Sequence, residues 1–396
     1  MTDEKILELL KNHPTPFYVF DLGELRSRVK YLKSALPEKV ELCYAVKANT
    51  FIAKAASECV DLLEICSPGE YRICEKFGIP HGMYVVSGVN KQADFIEDSI
   101  ASEDPVGYYT AESVSQFHLL RNGAEKAQRR ITALLRLTSG NQFGLDKEDL
   151  MAIVRDYKDD PWIDICGIQY FSGTQKNSLK KLKRELDYVD QFIADLRAEY
   201  GFETRKLEYG TGFPVAYFEG ETFEEDAFLA EFSSLLTGMA FEGKIALEVG
   251  RSIAASCGTY LTSVVDTKRN CGENYAIVDG GMHQIVYYGQ FMAMKHPKIR
   301  LFAQGAETSS GAETQDWNIC GSLCTINDFL VKKLPLPGLD IGDILVFERA
   351  GAYCPTEGIS LFLSRELPRV ILLGANGQET VAREHIETAQ FNMPKS

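Results

Sequence analysis

Two rhythms alternate along this chain. Short apolar runs bounded by Gly, Pro, Asn or Asp have the pattern of buried strands, and apolar residues recurring three and four apart have that of helices. A short helical pattern opens the chain, and residues 17–20 (Phe-Tyr-Val-Phe) read as a strand after two prolines. Leu25, Val29, Leu32 and Leu36 then recur at helical spacing. Eight strand candidates follow, at 42–46, 62–66, 83–86, 106–110, 131–137, 163–171, 206–209 and 245–249, with helical patterns between them such as 111–122, 178–200 and 224–237. Eight strands separated by helices over somewhat more than 200 residues predict an α/β fold of the (β/α)8 barrel type. A doubly wound open sheet would want a Gly-rich turn after its first strand, where this chain has Lys47-Ala48-Asn49.

Beyond about residue 265 the helical rhythm fades. Strand patterns at 275–278, 344–347 and 370–373 are separated by Gly-containing turns. This predicts a barrel over 23–265 and a C-terminal antiparallel β domain made of 1–22 plus 266–396, with both termini in the second domain.

Composition narrows the function. The chain has 396 residues and a formal net charge of −14, which argues against nucleic acid and anionic membrane as partners. No stretch is long and apolar enough to span a bilayer, and the N-terminus lacks the basic and apolar blocks of a signal peptide, so a cytoplasmic location is expected. Ten cysteines contain no C-x-x-C pair and the six histidines do not cluster with them, so no metal is expected. Most of these cysteines lie in apolar runs and read as small buried hydrophobes; Cys324 is the exception.

Candidate chemistry collects at the strand ends, where barrel enzymes carry it. The first barrel strand delivers Lys47. A lysine there is either a solvent-facing charge or a desolvated amine of the kind that forms Schiff bases with carbonyl compounds. Ser67-Pro68-Gly69-Glu70 ends the second strand, Phe171-Ser172-Gly173-Thr174-Gln175 the sixth, Gly210-Thr211-Gly212 the seventh, and Glu248-Val249-Gly250-Arg251-Ser252 the eighth. The last two suit a phosphate held by backbone N–H groups, or are simply tight turns. Glu248 and Arg251 could be no more than an ion pair. Beside a lysine and a phosphate loop, however, Glu248 is a carboxylate that could keep a pyridine nitrogen protonated.

Taken together, Tyr44-Ala45-Val46-Lys47-Ala48-Asn49, Glu248-Val249-Gly250-Arg251, Asp279-Gly280-Gly281, Gly321-Ser322-Leu323-Cys324 and Ala350-Gly351-Ala352-Tyr353 resemble, in order, the motifs of fold-type III pyridoxal phosphate enzymes, the diaminopimelate and ornithine decarboxylase group. The resemblance implies a homodimer with active sites shared between subunits, pyridoxal 5′-phosphate (PLP) as cofactor and an amino acid as substrate. Lys47 then matches the Schiff-base lysine and Glu248 the partner of the pyridine nitrogen. Phe171 matches the residue stacked on the ring. Thr174, Gly210, Thr211, Gly212, Gly250, Arg251 and Tyr353 match cofactor contacts. Cys324 matches the proton donor to Cα supplied by the partner subunit, and Asp328 and Tyr353 match substrate contacts; Thr325 follows the cysteine at a substrate-contact position, and His283 is placed either to line the substrate pocket or to serve as a hydrogen-bonded structural histidine.

Departures from the pattern bear on the substrate. Diaminopimelate decarboxylases have histidine where Phe171 stands and glutamate where Thr325 stands, and their substrate arginine has no counterpart near 285–289. The motifs are more similar to a biosynthetic subgroup typified by the butirosin L-glutamyl-[acyl carrier protein] decarboxylase. The resemblance therefore implies removal of the α-carboxylate of a diaminopimelate-, ornithine- or glutamyl-like amino acid, free or carrier-bound. The alternatives are a racemase of the same fold, against which Glu248 and Cys324 speak, and a non-catalytic PLP or regulatory binding protein.

Overall fold

The computed structural model describes residues 1–303 and 314–394. The described chain separates into two compact units. One comprises 26–215 and 223–253; the other comprises 1–25, 216–222 and 254–396. The division falls at Ile253/Ala254 rather than at 265, because the long strand that follows pairs in the second unit's sheet.

The strands in chain order are β1 (Phe17–Asp21), β2 (Val40–Ala45), β3 (Leu62–Ile65), β4 (Tyr84–Val86), β5 (Tyr108–Ala111), β6 (Ile131–Leu137), β7 (Ile163–Phe171), β8 (Lys206–Gly210), β9 (Lys244–Val249), β10 (Gly258–Asn270), β11 (Glu273–Val278), β12 (Ile299–Phe302), β13 (Gln315–Cys320), β14 (Phe329–Leu336), β15 (Ile344–Phe347), β16 (Arg369–Leu373) and β17 (Glu379–Arg383). Strands β2 to β9 close into a parallel barrel, β9 returning to β2 with Glu248 opposite Cys43. All eight predicted barrel strands are present, two with identical bounds.

Strand side chains alternate between faces, so residues two apart share the barrel interior. Cys43, Leu62, Val85, Leu134, Cys166 and Ala246 form one apolar interior cluster. Here two cysteines act as small core hydrophobes, as expected. Two residues nearer the C-terminal end, the same faces of β3, β6, β8 and β9 carry Glu64, Arg136, Glu208 and Glu248. The barrel interior is thus mainly apolar below, apart from the buried Lys206 paired with Glu41, and charged at its mouth.

In the second unit the path β14-β13-β11-β10-β1-β16-β17 is extended by β15, which pairs with β10, and by β12, which pairs with β15. The sheet is mixed rather than purely antiparallel: β1 runs parallel to β16, and β11 parallel to β13. Placing the N-terminal strand between β10 and the late strand β16 brings both ends of the chain into this sheet. Its core includes Phe17, Val19, Leu261, Val346 and Ile371, capped by Ile6 and Leu9 of the helix Asp3–Asn12.

Candidate active site

At the barrel mouth, β2 ends in a single 3-10 turn, Val46–Ala48, which presents Lys47. Asn49 steadies the turn: its side chain accepts from Phe51 N at 3.0 Å and its carbonyl accepts from the buried Tyr44 hydroxyl at 2.9 Å. Lys47 Nζ lies 2.7 Å from Glu64 Oε2 and 3.0 Å from Glu248 Oε1, with Cys66 Sγ at 3.7 Å. The carboxylate oxygens of Glu64, Glu208 and Glu248 lie within 4.8 Å of one another.

One ammonium cannot neutralise so many buried carboxylates, and the surplus is relieved by protons. Burial pushes Glu64 up, but the Lys47 ammonium, a hydrogen bond with Glu248 and the charge of Arg136 outweigh it and hold this carboxyl at about 2. Burial, then repulsion from Glu64, pushes Glu248 up to about 8. Burial and the same repulsion push Glu208 up to about 7. The arrangement is an ionised Glu64 beside a Glu248 that retains its proton near neutrality. Gln169 Nε2 donates to Glu208 Oε1 at 3.0 Å, whereas Glu208 Oε2 and Gln169 Oε1 are buried without a partner among the described residues. Arg136 pairs with Glu112 at 3.0 Å.

Beside this cluster the loops after β7, β8 and β9 meet. Gly212 has φ +57°, and a Cβ there would fall 2.2 Å from the Gly173 carbonyl oxygen. At Gly210 a Cβ would strike the Phe171 ring at 2.3 Å. Only glycines allow this approach. Gln175 and Val215 exchange two hydrogen bonds, of 3.0 and 2.7 Å, that strap the two loops together. Arg251 is buried, and its Nε donates to Thr174 Oγ1 at 3.3 Å. The Thr211 side chain turns inward, its hydroxyl donating to the Glu248 carbonyl at 3.4 Å.

The remaining candidates lie in the second unit. Cys324 is exposed on the β13–β14 loop, with Thr325 half-buried beside it. Asp328 is not the available acid that the motif match implied. Its Oδ1 accepts from Met282 N at 2.8 Å and its Oδ2 from Leu323 N at 2.7 Å, and it is 3% exposed. It clamps the Gly280–Gly281 and Ser322–Leu323 turns. His283 is likewise buried, at 1% exposure, and burial together with Arg365 lowers it to about 4, so it is a neutral core imidazole. Tyr353 is half-buried with φ +66°, an uncommon conformation for a non-glycine residue and one that concentrates at functional sites.

Comparison with known proteins accords with this geometry. The family model described as "Pyridoxal-dependent decarboxylase, C-terminal sheet domain" matches residues 17–351. The chain belongs to that family. It is 26% identical over 404 residues to the L-glutamyl-[BtrI acyl-carrier protein] decarboxylase of Niallia circulans, covering 96% of this chain and 94% of that protein. It is 26% identical over 396 residues to the 2-[(L-alanin-3-ylcarbamoyl)methyl]-2-hydroxybutanedioate decarboxylase of Staphylococcus aureus, covering 93% and 97%. Among solved structures, diaminopimelate decarboxylase from Helicobacter pylori complexed with L-lysine superposes with a TM-score of 0.85 at 23% identity, over 97% of this chain and 98% of that one, and so shares the barrel-plus-sheet fold.

This member of the family is thus a PLP-dependent carboxy-lyase, and its residues fit the cofactor. A lysine amine and a buried carboxylate that retains a proton lie together, beside a turn whose glycines let the loops after β7 and β8 close on each other. Four members of the mouth escaped the motif reading: Glu64, Arg136, Gln169 and Glu208. Their signal was a charged or amide residue at an inward position of an otherwise apolar strand.

Proposed function

We propose that this decarboxylase anchors PLP through Lys47 and removes the α-carboxylate of an amino acid whose far end is acyl or carboxylate rather than ammonium. The observation that carries the anchoring is the Lys47 amine held 3.0 Å from Glu248 beside the Gly210–Gly212 turn. When bound, PLP supplies an electron sink conjugated to the substrate Cα.

The chain's own residues have distinct tasks. Lys47 Nζ is the amine that would hold the cofactor through its aldehyde until the substrate amine replaces it. Glu248 holds the proton that the pyridine nitrogen needs, which its raised pKa makes available near neutrality. Glu64 stays ionised and keeps Lys47 oriented. Phe171 offers a flat apolar face for stacking without a titratable group. Thr174, Gly210, Thr211, Gly212, Gly250 and Arg251 form the phosphate end. After CO2 leaves, Cys324 Sγ–H of the partner subunit in a homodimer supplies the proton that Cα requires, and solvent restores the thiol. Tyr353 is assigned to cofactor and substrate on its motif match alone.

The substrate reading rests on the Cys324 loop. An ammonium at the far end of the substrate would need an acid there. Thr325 is neutral, and both Asp328 oxygens are held by backbone amides. A glutamyl-like amino acid, free or tethered to a carrier protein, meets no such mismatch. The relative from Niallia circulans acts on such a carrier-bound glutamyl group. The test is CO2 release from glutamate, a carrier-bound glutamyl thioester, ornithine, lysine and diaminopimelate. Release from the glutamyl compounds with little from the diamines is expected. Preferential turnover of a diamine would overturn the substrate reading, and inversion of configuration without CO2 would instead indicate a racemase.

A further inference from the structure

Behind the Gly210–Gly212 turn lies a second lysine that the proposed chemistry does not use. The Lys176 side chain is 2% exposed. Its Nζ donates to Glu185 Oε2 at 2.8 Å, Gly210 O at 3.1 Å, Ser172 Oγ at 3.2 Å and the Tyr209 hydroxyl oxygen at 3.3 Å. Its backbone N–H donates to Gly212 O at 2.8 Å. A single residue therefore captures the carbonyls on both sides of Thr211.

In a trans peptide the N–H opposes the C=O, so each captured carbonyl turns the following N–H away from Lys176. Thr211 N–H accordingly reaches the Glu248 carbonyl at 3.3 Å. Gly212 N–H, between the two captured carbonyls, has no protein acceptor among the described residues. The two loops are in contact at this point: a Cβ on Gly212 would lie 2.9 Å from Lys176 Cε. The ammonium also lies 4.9 Å from the Tyr209 ring centroid and 6.0 Å from that of Phe171. Burying a lysine and its carboxylate partner is costly, and simple packing could be met by apolar side chains. The capture of the Gly210 carbonyl is something an apolar side chain could not provide.

We propose that Lys176 is a positioning residue for the phosphate of PLP, locking the 172–176 and 210–212 loops so that the turn presents its free N–H to the anion. This rests on the reading of Gly210–Gly212 as the phosphate end. The test compares the affinity of the apoprotein for PLP with that for pyridoxal, which has the same ring and aldehyde without the phosphate, by absorbance and fluorescence titration. Lys176→Met removes the side-chain half of the clamp, the bond to Gly210 O, and keeps the backbone bond to Gly212 O. Lys176→Met/Glu185→Met also removes the carboxylate that the single change would strand, so it serves where the single variant does not fold. Lys176→Arg restores a donor cation.

The preference of the wild type for PLP over pyridoxal should fall at least tenfold in the Met variants, with pyridoxal affinity unchanged, and recover in part with arginine. An unchanged preference in a folded Met variant, or an equal loss of both affinities, would overturn the proposal. A wild type that binds both compounds equally well would instead sink the underlying phosphate reading.

Discussion

Lys47 sits in a field of opposing charges, and its neighbours decide which variants separate binding from chemistry. Lys47→Ala should abolish the visible absorption of lysine-bound cofactor along with CO2 release. Glu248→Gln keeps the amine, so the absorption should persist while turnover drops by about 100-fold or more. Equal turnover in Glu248→Gln and wild type would remove Glu248 from its role. Glu208 makes a pH prediction. Its folded pKa of about 7 lies above its ordinary 4.5, so the folded protein holds this proton more tightly than the unfolded chain. Its contribution to stability is fully present below about 4.5 and is lost as pH rises toward 7 and above. Glu208→Gln removes the charge and should stabilise the apoprotein relative to wild type by up to about 3 kcal/mol at pH 8, with little gain at pH 5. Urea midpoints at the two pH values check this; an advantage at pH 5 equal to that at pH 8 would contradict it.

Legibility at this scale followed chemistry that stands apart from its surroundings. Lys47 and Glu248 ended apolar runs and could be read from the sequence. Glu64 sat inside a run read only as apolar, and its inward direction emerged only once the barrel register was known. Asp328 and His283 were singled out by motif as substrate contacts, but that both are buried was not legible. That depends on turns formed by Gly281 and Gly321, which are distant in sequence.

At the scale of elements, the barrel strands were readable because parallel strands buried on both faces are continuous apolar runs flanked by helices. The second unit hid more. Strand β10 is buried only in its first half, bulges between Val264 and Asp266, and ends in a polar, largely exposed tail, so no single period marks it. Strand β17 is largely exposed, and β12 is half-buried along its length. Strand β16 is different. Ile371 is fully buried and pairs with Val19 of β1, joining the ends of the chain in one core. Ile371→Ala should cost about 2–5 kcal/mol of stability, read from denaturant midpoints. A loss below 0.5 kcal/mol would mean that the β1–β16 pairing is not central to this unit.

At the scale of the whole molecule, the proposed division of labour places the cofactor anchor on the barrel and the proton donor on the second unit of a partner chain. Two inactive proteins should then rescue each other. Mixing Lys47→Ala with Cys324→Ala under subunit exchange produces mixed dimers with one intact site, and should restore about a quarter of wild-type activity. Mixtures no more active than their components would argue that each chain completes its own site. The carrier-bound and free glutamyl substrates are separated by assay.

The central claim is that Lys47 holds the cofactor. The most direct measurement is borohydride reduction of the PLP-loaded wild-type protein, followed by mass spectrometry of its peptides. The predicted result is a single phosphopyridoxyl adduct on Lys47, absent from Lys47→Ala. An adduct on Lys176, or none in a protein that decarboxylates, would contradict it.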